Sequence, residues 1–156
     1  MPSAVIDHSL QLRSLWTAWL LAILIHVDLG LMPLFHGLSA QIESDVPVAA
    51  LPTVFTAMMV YDLIPLLSLL LIAQAASDPD RPRRWQGWKR WHRLIAMVYG
   101  ITNLAHLAAD ILIPDRRIDQ ILLMAVISII GLQIIRESGR WWRQGLELSS
   151  PPDPSR

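Results

Sequence analysis

WHRLIAMVYGITNLAHLAADILI, residues 91–113, decides the class of this protein. As a helix this stretch is about 35 Å long, enough to cross a hydrocarbon core of about 30 Å. Only Arg93 and Asp110 carry a full charge within it, and Pro114 closes it. Three further runs share its character: 14–35, 52–76 and 118–135, with Pro52 fitting the first turn of the second. The sequence predicts an all-α membrane protein. Its four transmembrane helices are expected to form an antiparallel up-down-up-down bundle joined by short connections.

Composition agrees. Of 156 residues, 53% are hydrophobic and 17% charged, against about 25% charged in a soluble domain. A net charge of zero argues against a nucleic-acid partner. With no cysteine, disulfides, thiolate metal sites, Fe–S clusters, covalent c-type haem and cysteine nucleophiles are excluded. Walker motifs, glycine-rich phosphate loops and serine nucleophile elbows are absent too. Residues 1–145 read as one bundle. Residues 146–156, with Pro151, Pro152 and Pro154, read as a disordered tail. Gly37 to Ala40 resembles a small-residue cleavage site. The run before it is longer than a signal-peptide core and holds His26 and Asp28, so it is expected to be retained.

Basic residues set the expected orientation. Segment 36–51 has none, only Glu43 and Asp45. Segment 77–93 holds Arg81, Arg83, Arg84, Lys89, Arg90 and Arg93; the tail adds Arg136, Arg140, Arg143 and Arg156, and Arg13 precedes the first span. Only Arg116 and Arg117 fall on the other side, so both termini are expected in the cytoplasm. All seven tryptophans lie near that cytoplasmic interface, where an aromatic belt is expected. Residues 83–93 read as an amphipathic entry to the third helix on the anionic leaflet, with ordinary anchoring favoured over lipid-specific binding. His8 is expected to be solvated, and His92 to lie near headgroups. The chain has the general look of small bacterial membrane proteins, and its expected location is a bacterial inner (plasma) membrane.

Five ionisable residues interrupt the apolar runs: His26, Asp28, Asp62, His106 and Asp110. Such groups cost several kcal/mol each in hydrocarbon unless paired, solvated or bound to a cation. Counting from the span ends puts His26, Asp62 and His106 at a similar depth, roughly 12–15 Å below the outer surface. Asn103, His106 and Asp110 share one stripe of the third helix, as do Met58, Asp62 and Pro65 on the second. Asp28 points nearly opposite His26. Pro65 removes the hydrogen bond to the Tyr61 carbonyl. The fourth helix reads as a packing wall, with Gly131 permitting close approach.

Three functional readings follow. The first is a divalent metal site (Zn, Fe or Mn) of His26, Asp62, His106 and Asp110, with Asp28, Tyr61 and Asn103 around it. An open position there would suit a metal-dependent membrane hydrolase, whose catalytic residues the sequence does not name. The second is b-type haem held by His26 and His106, as in an electron-transfer protein. The third is a structural or assembly subunit of a larger membrane complex, or a homo-oligomer, with these groups in interhelical contacts. A complete proton path is disfavoured, because the inner half of the bundle shows almost no polar lining. The roles of His36 and His92 are left open.

Overall fold

The computed structural model describes residues 7–38, 47–78, 82–113 and 116–149. They form helices α1 (His8–Phe35), α2 (Leu51–Ala76, preceded by a 3-10 turn), α3 (Pro82–Leu112) and α4 (Ile118–Ser149). All four are long and apolar enough to cross a membrane. Leu21, Leu24, Leu67, Leu70, Ile101, Leu122 and Ile129 are more than half exposed. An apolar surface of that extent suits lipid rather than water.

Hydropathy found the lipid-crossing parts of helices that are longer. α1 starts at His8 rather than 14, α3 at Pro82 rather than 91, and α4 runs to Ser149 rather than ending at 135. Charged residues lower hydropathy without breaking a helix, since Arg, Lys, Glu and Gln are good helix formers. Of the tail expected to be disordered, 146–149 continue α4. Residues 150–156 lie outside the described residues, as do Glu43, Asp45, Pro79 and Pro114.

Buried residues recur at alternating spacings of three and four. The stripe on α3 is His92, Ala96, Tyr99, Asn103 and Asp110; on α4 it is Gln120, Met124, Ile127, Gly131, Ile134, Ser138 and Trp141. On α1 it is Ser9, Leu12, Trp16, Trp19 and Ala22, and on α2 Pro65, Ser68 and Ile72. This is the seam of a helical bundle. α4 packs on both α3 and α1, and α1 on α2, while α2 touches α3 only lightly. The α3–α4 seam is close at Gly131, where an added Cβ would stand 2.7 Å from Asn103 Nδ2 and 3.6 Å from Gly100 Cα.

At the basic end, the structure corrects three expectations. Trp16, Trp19 and Trp141 are buried in the core rather than set in an interfacial belt, because 16, 19 and 141 fall on the inward stripes. His92 is also fully buried rather than near headgroups: it lies on the inward stripe of α3, and its Nε2 accepts the Trp16 indole N–H at 2.8 Å. Around it stand the rings of Trp16, Trp88 and Trp141, at 5.7–6.0 Å. His8 is not solvated; its Nδ1 lies 2.9 Å from the buried Glu137, which Arg140 also meets at 2.7 Å. Trp91, in contrast, is exposed as a belt residue would be.

Two prolines interrupt the apolar helices, and each freed carbonyl finds a side-chain donor from elsewhere in the chain. Proline at position i leaves the carbonyl of i−4 without its helical donor. For Pro65 that is the Tyr61 carbonyl, which accepts the Tyr99 hydroxyl from α3. For Pro33 it is the Leu29 carbonyl, which accepts Arg117 Nη1 at 3.0 Å from the approach to α4. Asp119 holds Arg117 in place through a paired carboxylate contact. In hydrocarbon an unsatisfied carbonyl costs several kcal/mol, so these contacts fix how the helices dock.

The N-terminus of α1 has a conventional cap. The Asp7 carboxylate accepts the backbone N–H groups of Ser9 (2.9 Å) and Leu10 (3.2 Å). The Ser9 hydroxyl and these amides hold the Asp7 carboxyl below its ordinary value. A depressed folded-state pKa stabilises the fold above the unfolded-state value, and that contribution is lost as pH falls through the depressed one. Asp7→Ala is expected to lower stability by about 1 kcal/mol at neutral pH. Asp7→Asn should keep most of the cap while flattening the acid-side decline, as read by unfolding in detergent across that range.

Candidate metal centre

At the other end of the bundle, three of the four residues expected to bind metal come together. His26 on α1 and His106 and Asp110 on α3 each offer one ligand atom, all within 4.8 Å of one another. The imidazoles meet edge to face with ring centres 5.0 Å apart. His106 Nε2 lies 3.6 Å from Asp110 Oδ1, the one-turn pairing expected of an i, i+4 spacing. Asp110 is nearly buried, His26 partly so, and the His106 side chain is half exposed. The cluster is therefore reachable from outside the helices.

Three buried atoms here have no hydrogen-bond partner: His26 Nδ1, Asp110 Oδ2 and Oε1 of the bordering Gln120. Buried polar atoms are nearly always satisfied, and exceptions point to a water or ion. Gln120 on α4 borders the site, donating its amide to the His26 carbonyl at 3.3 Å.

Asp62 is not in this group. The inward side of α2 is set by Pro65, Ser68 and Ile72, with Tyr61 one turn before Pro65; Asp62, about 100° round from Tyr61, is exposed, as is Met58. Asp28 is exposed as well. Tyr61 bonds to the Thr102 hydroxyl at 2.8 Å and stacks on Tyr99 at 4.5 Å, about one and two turns of α3 before His106. Asn103 is buried on the α3–α4 seam, its carbonyl 3.4 Å from the Ser128 hydroxyl and its Nδ2 without a partner. His36 is exposed beyond the end of α1.

Sequence reasoning passed over α4, which supplies Gln120 and, just before its first turn, Arg117. The available signal was the 3–4 spacing that joins Gln120 to Met124, Ile127 and Gly131. What faced it was not legible. A comparison with protein-family models found no match, and comparisons with curated proteins and with solved structures found no significant one.

Proposed function

We propose that this protein binds one divalent cation through His26, His106 and Asp110, within the outer half of a bacterial inner membrane. The observation that carries the proposal is the convergence of three donors from two helices, with His26 Nδ1 and Asp110 Oδ2 buried and unpartnered. Two imidazoles and a carboxylate suit Zn²⁺, Fe²⁺ or Mn²⁺. Donors on tetrahedral zinc stand about 3.4 Å apart, so side-chain rotation has only a short distance to close. A cation would offset the charge of Asp110 where no Lys or Arg reaches it among the described residues.

Three protein donors leave a coordination position for water, the arrangement used in metal-assisted hydrolysis. Half-exposed His106 puts that position within reach of a lipid or membrane-embedded peptide, so a membrane hydrolase is the activity this geometry suits. The same geometry favours a metal over haem. A porphyrin would have to lie between the two imidazoles, and rings in edge contact leave no such gap.

Elemental analysis of the detergent-purified chain tests the proposal. The expected result is close to one equivalent of Zn, Fe or Mn, falling below about a tenth in His106→Ala and Asp110→Asn and unchanged in Asp62→Asn. A folded, metal-free protein would overturn it. His26, His106 and Asp110 would then count as interhelical contacts of a structural subunit.

A further inference from the structure

The basic end carries a cleft that the metal proposal does not use. It lies between α3 and α4, has a volume of about 180 Å³, and is lined by Arg90, Arg93, Leu94, Met97 and Trp142. None of its lining residues is acidic. Among the described residues, no carboxylate comes within 4 Å of either guanidinium. Glu137, a buried acid at this end, is instead occupied by His8, Arg136 and Arg140. The Arg93 guanidinium sits over the Trp142 ring at 5.2 Å. That contact holds the side chain in place while leaving its edge N–H groups available to an acceptor.

The cleft is amphipathic along the axis of α3. Arg90, Leu94 and Met97 succeed one another down one flank of α3, and Val98 and Ile101 continue that flank as exposed apolar surface. From Arg90 to Met97 is about 10 Å along the axis. Two cations at the mouth, an aromatic wall and an aliphatic floor opening onto the lipid-facing surface match one kind of ligand. A soluble anion would use the arginines and leave Leu94 and Met97 without a role. A zwitterionic lipid would bring its own cation against them.

We propose that this cleft seats one anionic phospholipid, its phosphate held by Arg90 and Arg93 and its first acyl carbons lying on Leu94 and Met97. Arginine favours this role because its planar fork pairs bidentately with phosphate oxygens. The lipid would bridge the α3–α4 seam and fix the depth of that end of the bundle.

Native mass spectrometry of the full chain, released from detergent and titrated with phosphatidylglycerol, phosphatidylcholine or inorganic phosphate, tests the assignment. Phosphatidylglycerol should bind with discrete stoichiometry. Its affinity should fall about tenfold in Arg90→Gln/Arg93→Gln. It should change less than about twofold in Arg84→Gln/Arg143→Gln, which removes equal charge from the same end of the bundle. Met97→Phe, which narrows the floor with both charges intact, should also weaken phosphatidylglycerol and leave the fold unchanged. Equal losses in the two double variants would reduce the effect to general surface charge and overturn the site. Equal binding of phosphatidylcholine, or full competition by inorganic phosphate, would overturn the anionic-lipid assignment.

Discussion

Replacing Trp16 with phenylalanine is expected to destabilise the bundle by on the order of 3 kcal/mol, read as the shift in detergent-to-SDS unfolding followed by circular dichroism. Two effects add. Trp16 is fully buried between Trp19 and Tyr99, whose rings stand 5.8 and 5.4 Å away. Phenylalanine therefore leaves a void in a close-packed region. Its indole N–H is also the hydrogen-bond partner of His92 Nε2. Because Nδ1 of that ring already has no partner, the substitution leaves the whole imidazole buried and unsatisfied. The histidine term separates in a double-mutant cycle. Trp16→Phe/His92→Leu should be more stable than the sum of the single changes by about 1–2 kcal/mol, since removing both partners is cheaper than orphaning one. Strict additivity would mean that the indole–imidazole bond contributes nothing and that Trp16 acts through volume alone.

The second large effect concerns Pro65. Tyr99→Phe should cost about 1–3 kcal/mol, because it strands the Tyr61 carbonyl that the proline has already deprived of its helical donor. Pro65→Ala restores an N–H at position 65, which reaches the same carbonyl by the ordinary helical bond. In that background Tyr99→Phe should cost less than about half as much. Stability of the four proteins measures this coupling directly. If the cost of losing the Tyr99 hydroxyl is the same with proline or alanine at 65, the hydroxyl matters for a reason other than the freed carbonyl. Leu29 and Arg117 repeat the arrangement at Pro33. There the donor is a guanidinium whose other edge pairs with Asp119.

Hydropathy and helix length are additive along the chain, so the membrane class, the four helices and the apolar centre of each were legible in the residues alone. Spacing is equally local. It put Asn103, His106 and Asp110 on one stripe, and it marked the Tyr61 carbonyl as freed by Pro65. Depth, counted from the ends of the spans, put His26 and His106 at one level. Which way each helix is turned was not legible there, because rotation about the axis depends on every neighbour at once. Asp62 has the chemistry of a ligand, yet α2 turns it outward beside the inward Tyr61 and Pro65, and Tyr61 meets Thr102 and Tyr99, one to two turns of α3 before His106. His92 and three of the tryptophans have the composition of an interface, yet their place on the inward stripes makes them core. Gln120 and Arg117 meet α1 only because α4 packs against both α1 and α3. Pro65 and Pro33 fixed which carbonyls need donors; only the docking of the helices supplied Tyr99 and Arg117, since a freed carbonyl says nothing of which side chain will reach it.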